Sequence, residues 1–404
     1  MPSLSLNKLY YADKEKYNEE YTLRYNSEDS IHLDFFIGDN QAFFCPNNEI
    51  YKRIISIIRI DKKVQQLYLK LPEEAIYQFA KKCLVDEIIQ TNNIEGVHST
   101  RKEITDVIED MPVKNSNNRF VGLVRKYRVL LFDEEIGFRT CEDVRKIYDD
   151  IFYEEIKKSD EKNLPDGKLF RKESVSVFSP TDKEIHTGLY PESKIINAME
   201  KALMFLNKES VEPLFRIAVF HYLFGYIHPF YDGNGRCSRF ISGYLLSKHL
   251  NHLIAYRMSY TIRENISLYY DAFKECNNPK SKGDITPFIE MFLKIVDISE
   301  NQLCDALQKR VRQLEKYEDI IMSLPYADEE RMKKLYSVLV QASLFSDIGV
   351  AISEMERFLS ISYNTLNKEI SKIPSQLISI KMSGRKKYYM LNLKKLDDLY
   401  EKNE

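Results

Sequence analysis

Twelve consecutive residues, 228–239, combine side chains that could bind a polyphosphate and move one proton. The segment reads HPFYDGNGRCSR, and its candidate functional residues are His228, Asp232, Gly233, Asn234, Gly235, Arg236 and Arg239. A histidine with its ordinary pKa of about 6.5 can accept a proton at neutral pH. Planar guanidinium groups suit phosphate oxygens, and a carboxylate supplies the hard oxygen that Mg²⁺ prefers. These residue types therefore predict a phosphate site beside a general base.

The element before this segment is predicted to hold the histidine rigidly. Residues 213–227, PLFRIAVFHYLFGYI, are apolar on nearly every side, which predicts a buried central helix. Pro229 cannot continue that helix, and the residue before a proline is disfavoured in helical geometry. We therefore expect His228 at the mouth of a loop that a rigid helix supports.

The Gly-Asn-Gly turn at 233–235 is predicted to bind an anion through its backbone. Glycine permits left-handed backbone and close approach of a ligand, and a helix beginning near Cys237 would add its N-terminal dipole. Arg236 and Arg239 are three residues apart and should point to one side of that helix. A lone histidine, turn or arginine pair is usually structural, but their coincidence within twelve residues favours a functional site.

The segment resembles, at every fixed position, the signature HPFx[D/E]GNGRxxR of Fic (Fido) domains. Such domains mostly transfer AMP from ATP to a hydroxyl side chain of a target protein. The resemblance implies that His228 takes the proton from a Ser, Thr or Tyr hydroxyl and that Asp232 holds Mg²⁺. It also implies that residues 233–235 cradle the α and β phosphates, while Arg236 and Arg239 bind the β and γ phosphates.

A second motif precedes this core. Residues 72–94 have the apolar stripe of a helix. The end of this helix overlaps the motif TNNIEG at 91–96, which contains Glu95 and Gly96. On a purely structural interpretation Gly96 caps the helix and Glu95 is solvated. The sequence also matches the inhibitory motif [S/T]xxxE[G/N] found near Fic cores. That resemblance implies that Glu95 pairs with Arg239 and keeps it from the γ phosphate; whether the same glutamate also supports AMP removal stays open.

A β-hairpin is predicted before the central helices, because two short alternating runs flank the turn at 179–182. In Fic domains a hairpin flap at this position holds the target segment by adding a strand. Val175 and Val177 are therefore candidate contacts for a target, and an ordinary surface hairpin is the alternative.

A further helix, running to about Cys276, is the candidate wall for a nucleotide base. Asn265 and Tyr269 are four residues apart and are expected to share one face. The resemblance implies an adenine site around this helix. The chain has 27 tyrosines, so a packing role for Tyr269 is equally open.

Composition sets the broad class. The 404 residues predict two to three domains, and the net charge of -2 gives no overall attraction to nucleic acid or membrane. The N-terminus lacks the apolar core of a signal peptide, and no apolar run approaches the roughly 20 residues of a membrane span. The six cysteines form no CxxC pair. We therefore expect a cytoplasmic protein with reduced thiols, no zinc site and no membrane segment.

The predicted fold is mainly α, in four parts. These are an N-terminal helical region at 1–137 with the inhibitory helix, a Fic core at 138–297 with its hairpin flap, a linker helix at 298–327 and a terminal module at 328–404. Within that module, three helices at 333–345, 349–358 and 363–371 precede a hairpin with a basic tip. This order of elements is typical of a winged helix-turn-helix, which many Fic proteins of this size carry.

Two functions compete at this stage. The first is a protein adenylyltransferase that uses ATP and Mg²⁺, modifies an unidentified protein or itself, and is autoinhibited by Glu95. The second is a DNA-binding regulator that uses the winged helix and has secondary or no transferase activity. The intact signature favours the first, because a relic should have lost some of its residues. UTP, GTP or a choline diphosphonucleotide as donor, and a homodimeric state, stay open.

Overall fold

The computed structural model describes residues 5–110, 119–129, 135–178, 184–383 and 386–400. The described chain is mainly helical, which confirms the predicted class. It divides into two compact units. The first comprises Met1–Asp61, Glu87–Thr100 and Val107–Asn301, and the second comprises Lys62–Asp86, Arg101–Asp106 and Gln302–Glu404.

The helices are numbered in chain order. The first nine are α1 (Leu6–Ala12), α2 (Lys14–Tyr25), α3 (Asn48–Tyr68), α4 (Glu73–Ile94), α5 (Arg101–Asp110), α6 (Val121–Val129), α7 (Cys141–Ser159), α8 (Glu192–Leu206) and α9 (Pro213–Ile227). The remaining helices are α10 (Asn234–Ser247), α11 (Met258–Glu264), α12 (Ile266–Cys276), α13 (Thr286–Ile321), α14 (Glu330–Phe345), α15 (Ile352–Leu359), α16 (Tyr363–Lys372) and α17 (Leu393–Tyr400).

The strands form small antiparallel sheets. They are β1 (Ile31–Ile37), β2 (Asn40–Phe44), β3 (Ser176–Phe178), β4 (Glu184–Thr187), β5 (Val350–Ala351), β6 (Ile378–Ser383) and β7 (Lys386–Leu391). In the first unit β1 pairs with β2 and β3 with β4. In the second unit the order is β5-β7-β6, so the predicted C-terminal hairpin gains a short third strand.

Helix α9 is the centre of the first unit. Its bounds equal the predicted range, with Pro213 in the first turn and the Glu212 side chain accepting a hydrogen bond from Phe215 N. Nearly every side chain of α9 is buried, and α8 and α10 pack against it. Each fully buried Leu, Ile, Val or Phe contributes roughly 1.5–3 kcal/mol, so an all-apolar helix is stable only when neighbours surround it.

Two helix starts differ from the sequence prediction. Helix α10 begins at Asn234, three residues before the predicted start near Cys237, because Gly233 adopts the left-handed φ of 80° and already acts as the N-cap. The linker helix predicted at 298–327 corresponds to the C-terminal part of the 36-residue α13, which begins at Thr286 and ends at Ile321. No glycine or proline occurs between Pro287 and Pro325, so nothing in the sequence ends α13 earlier.

The second unit contains the predicted order of helix, helix, helix and hairpin, as α14, α15, α16 and β6–β7. The part of α4 that belongs to this unit ends at Asp86, and ion pairs connect it and the start of α5 to the rest of the unit. Asp347 is 2.5 Å from Lys82 Nζ and 2.7 Å from Arg101 Nη1. The basic hairpin tip includes Gly384 and Arg385, which lie outside the described residues.

Within the ranges that the structure describes, no helix combines the length and the apolar character needed to cross a membrane.

Candidate active site

His228 lies where α9 ends, as predicted. Its backbone adopts the left-handed conformation, with φ 52° and ψ 64°, and its N–H donates to Phe224 O at 2.9 Å. This conformation costs a residue with a Cβ roughly 1–2 kcal/mol, so surrounding contacts must hold it. The imidazole lines a cleft together with Asn234, Gly235 and Arg239.

The environment of His228 keeps its imidazole neutral. Burial lowers its pKa to about 3, and the nearby Arg171 and His186 act in the same direction. Burial disfavours the charged form of a histidine, and so does a neighbouring cation. The ring is therefore unprotonated at neutral pH, which is the form that can accept a proton.

The loop after His228 is locked by Asn234. The Asn234 side chain accepts a hydrogen bond from Phe230 N at 3.0 Å and donates one to Phe230 O at 2.8 Å. The Phe230 ring stacks on Tyr148 with centroids 3.6 Å apart. Asn234 thus closes the turn through both its amide atoms, in addition to lining the cleft.

Arg239 is almost fully buried and bound to the end of α4. Its Nη2 is 2.8 Å from Glu95 Oε1. Thr91 accepts two hydrogen bonds from it, from Nε to the hydroxyl at 2.9 Å and from Nη2 to the carbonyl at 3.0 Å. Glu95 also lies directly over Gly235, where an added Cβ would come 2.1 Å from Oε1. A carboxylate therefore lies beside the first turn of α10, where the helix dipole favours an anion.

Arg236 lies in a different environment from Arg239. Its Nη1 is 2.5 Å from Glu155 Oε1 on α7, and its guanidinium lies 4.7 Å from the centroid of the Phe152 ring. Arg239 lines the cleft, whereas Arg236 is not among the described lining residues. Arg236 and Arg239 thus have separate partners on α7 and at the end of α4, and the expectation that both bind phosphate stays a prediction.

The Asp232 carboxylate is 43% exposed, and its Oδ1 accepts the Gly233 N–H at 2.5 Å. Its Oδ2 is 3.7 Å from Arg236 Nη2. Mg²⁺ commonly takes one or two carboxylates and completes its shell with water and substrate phosphates. One accessible carboxylate oxygen on the signature loop fits that manner of binding.

Helix α12 supplies the wall where the adenine was predicted. The described lining residues of the cleft are Glu95, His186, Gly225, His228, Asn234, Gly235, Ser238, Arg239, Tyr269, Tyr270, Phe273 and Asn277. Sequence reasoning missed Tyr270, Phe273 and Asn277. Their spacing of i, i+3 and i+7 on one helix is a signal that could have found them.

The two predicted adenine residues have different positions. Tyr269 lines the cleft, and its hydroxyl is 2.8 Å from Nε2 of the buried His221. Asn265 precedes the first residue of α12, and its side chain donates to Thr261 O at 2.9 Å. Asn265 is not among the described lining residues, because it joins α11 to α12 instead of facing the cleft.

The predicted flap hairpin is present as β3 and β4, with Val177 opposite His186. Val175 precedes β3, and its carbonyl accepts the Gly188 N–H at 3.0 Å. The His186 ring lines the cleft and stacks on Tyr226 with centroids 4.6 Å apart. The predicted turn at 179–182 lies outside the described residues.

Residues 139–246 match the Fic/DOC family model, and this range includes α7, the flap, α8, α9 and the signature loop. The chain contains a Fic domain. Glu95 and the α12 wall lie outside the matched range, so the cleft uses residues from before and after the Fic domain as well.

Part of the chain resembles named relatives. The chain is 34% identical over 108 residues to the protein adenylyltransferase Fic of Drosophila ananassae, a match that covers 26% of this chain and 19% of that protein. The same protein of Drosophila grimshawi is 34% identical over 108 residues, with 20% of it covered. The chain thus spans about a fifth of the length of these relatives.

One solved structure is similar over most of the chain. The crystal structure of a Fic family protein from Desulfovibrio desulfuricans G20 aligns with a TM-score of 0.51 and 20% identity, and the alignment covers 86% of this chain and 97% of that one. At this identity the likeness concerns the fold alone.

Proposed function

We propose that this protein transfers AMP from ATP to a Ser, Thr or Tyr hydroxyl of a protein target. The observation that carries the proposal is the arrangement of one cleft, which gathers the His228 imidazole, the first turn of α10 and the Arg239 guanidinium. The Fic domain and the name of its relatives support the same reaction.

The chemistry follows from the residues of the cleft. Neutral His228 removes the proton of the target hydroxyl while the hydroxyl oxygen attacks the α phosphorus of ATP. A new P–O bond forms, the bond to the β-phosphate oxygen breaks, and pyrophosphate leaves. Backbone N–H groups at the start of α10 bind phosphate oxygens. Positioning and charge stabilisation supply most of the catalysis in such reactions.

Asp232 is the residue that would hold Mg²⁺. When bound with ATP, Mg²⁺ neutralises phosphate charge. The nucleotide base would pack against the wall formed by Tyr270 and Phe273, with the Asn277 amide available for hydrogen bonds. The signature residues would contact the phosphates of the nucleotide and not its base. Transfer from UTP and GTP should therefore be compared with transfer from ATP.

We further propose that Glu95 inhibits this reaction. Its carboxylate binds Arg239 and lies over Gly235, where phosphate oxygens of a productive nucleotide would compete with it. The inhibited state would then persist until Glu95 is displaced. Removal of AMP from a modified target with help from Glu95 is a further activity, which loss of radiolabel from an already labelled target would detect.

The first prediction is that Glu95→Gly raises AMP transfer at least tenfold, because it frees Arg239 for phosphate. Radiolabel from α-labelled ATP is measured on the protein itself and on lysate proteins. His228→Ala added to Glu95→Gly should abolish the label, since no other side chain replaces the base.

Asn93→Gly is the matched control, because it adds a glycine near the same helix end and leaves the carboxylate in place. Glu95→Gln removes the charge and keeps the shape, so it should activate as well. Equal labelling by Glu95→Gly and by the unchanged protein would refute inhibition. No labelling by any variant would refute the transferase.

A further inference from the structure

Arg171, in the segment between α7 and β3, is a fully buried arginine whose hydrogen-bond partners are backbone carbonyls. Its Nε donates to His228 O at 2.9 Å, and its Nη2 donates to Leu189 O at 2.9 Å. Its Nη1 donates to Glu173 O, and its backbone N–H donates to Pro229 O at 3.2 Å. One side chain therefore joins three separate stretches of the chain.

This arrangement is unusual for a buried charge. Arginines are almost never fully buried unless they are paired, because the charge loses its hydration. Within the described residues Arg171 has no carboxylate partner, and burial lowers its pKa. The planar fork instead satisfies its donors with carbonyl oxygens, which a lysine could not do with the same geometry.

Two of the stretches that Arg171 joins are the loop that begins at His228 and the segment that follows the flap. His228 has the strained left-handed backbone described above, and its carbonyl is one of the three acceptors. Leu189 directly follows the flap exit, where Leu189 N also donates to Ile227 O at 3.1 Å. At Gly188, an added Cβ would lie 2.4 Å from Arg171 Nη2 and 2.9 Å from His228 Cβ. The absence of a side chain there lets the guanidinium, the flap exit and the histidine meet.

We propose that Arg171 is a positioning residue for AMP transfer, which fixes the backbone of His228 and the exit of the flap relative to each other. This inference rests on the proposed function. The flap is the element expected to present the target hydroxyl, so Arg171 would set the distance between that hydroxyl and the base. A misplacement of about 1 Å can cost about 100-fold in rate.

The kinetic test compares variants in the Glu95→Gly protein, where inhibition is absent. Arg171→Met removes both the fork and the charge, and we expect kcat to fall about 100-fold while KM for ATP changes less than threefold. Arg171→Lys keeps the charge without the fork, and we expect most of the same loss of kcat. Calorimetric ATP binding and thermal melting of each variant report whether the cleft is still folded.

Arg145→Met is the matched control. The Arg145 Nη1 also donates to a carbonyl of the same stretch, Leu169 O at 2.9 Å, but Arg145 has no contact with His228. It is a partly exposed arginine paired with Asp149. Its replacement should leave kcat within twofold, so a specific loss in the Arg171 variants would not reflect damage to this stretch in general.

A second readout does not depend on activity. The cationic groups that face His228 are Arg171 and His186, and both lower its pKa. Removing the cation in Arg171→Met should raise the His228 pKa, so the imidazole gains its proton at a higher pH than in the parent. Arg171→Lys should keep the lower value. Nitrogen-15 NMR of the seven histidines, with His228→Gln to assign the resonance, measures this shift.

The outcomes separate the two proposals. Unchanged kcat in Arg171→Met, or a fall in kcat matched by equal loss of ATP binding, overturns the positioning role. If Arg171→Met does not fold, Arg171→Lys decides in the same way. If the Glu95→Gly protein with Arg171 intact transfers no AMP, the proposed function fails, and an unmoved His228 resonance in Arg171→Met would then overturn this inference independently.

Discussion

At the scale of single residues, polar side chains of the signature that were predicted to bind phosphate also form hydrogen bonds and ion pairs within the protein. Asn234 was predicted as a phosphate ligand, and its amide also satisfies both backbone groups of Phe230. Arg239 was predicted to bind phosphate, and it is held by Glu95 and Thr91. These polar groups of the cleft are therefore held in place by hydrogen bonds within the protein itself.

Asn234→Ala should destabilise the fold by about 1–3 kcal/mol, because it leaves a buried backbone N–H and C=O of Phe230 without partners. The free energy of unfolding, measured by chemical denaturation, tests this value. Asn251→Ala is a useful comparison, since that side chain accepts one hydrogen bond, from Leu253 N. A loss below about 0.5 kcal/mol for Asn234→Ala would show that the turn closes without it.

Prediction of individual residues from the sequence was possible where a short motif carries the information. The signature and the TNNIEG motif lie within twelve and six residues, so their side chains could be named before the structure. Arg171 could not be found in this way, because His228 and Leu189 are 57 and 18 residues away in the chain. A buried arginine that donates to distant backbone carbonyls leaves no recognisable motif in the neighbouring sequence.

At the scale of elements, helix bounds were predictable where a run of apolar residues ends at a proline or glycine. Helix α9 matches its predicted range and α4 differs from 72–94 by one residue, since Pro213, Pro229 and Gly96 mark their ends. The predicted linker helix began at 298, whereas α13 begins at Thr286 with Pro287 in its first turn, where proline is well tolerated. A proline near a helix end can mark either a start or a stop, and sequence alone does not separate the two.

Close packing of α9 against α12 sets the width of the cleft. An added Cβ at Gly225 would come 2.6 Å from Cε1 of Phe273, which itself contacts Phe288 at a centroid distance of 4.5 Å. Gly225→Ala should therefore displace Phe273, cost about 1–3 kcal/mol of stability, and weaken ATP binding. Denaturation and calorimetry in the Glu95→Gly protein measure both effects.

Gly137→Ala is the control for that substitution, because its Cβ would meet Asp143 at an ordinary 3.7 Å. If Gly225→Ala binds ATP as tightly as the parent, the Phe273 ring does not form part of the nucleotide wall.

At the scale of the whole molecule, charge bears on the competing hypothesis of DNA binding. The net charge is -2, so attraction to phosphate backbones would depend on local groups such as the exposed Lys386 and Lys387 of β7. The order of elements in the second unit agrees with a winged helix, and the hypothesis stays a prediction. The DNA-binding hypothesis requires that the protein bind DNA and that Lys386 and Lys387 contribute to that binding.

The double variant Lys386→Glu with Lys387→Glu separates the two functions. We expect AMP transfer by the Glu95→Gly protein to stay within twofold, and DNA mobility shifts at about 150 mM salt to be weak in parent and variant alike. A sharp, sequence-dependent shift that the variant abolishes would support the regulator hypothesis.

The ion pair between Glu95 and Arg239 has a consequence for the stability of the protein when that contact is broken. The Glu95 carboxylate, which lines the cleft, is also the counter-ion of a cation with almost no access to water. Withdrawing it leaves that cation uncompensated, which a protein interior tolerates poorly. On the proposed function, a bound triphosphate would supply the missing negative charge. The protein without the Glu95 contact would then be more stable with the nucleotide bound than without it.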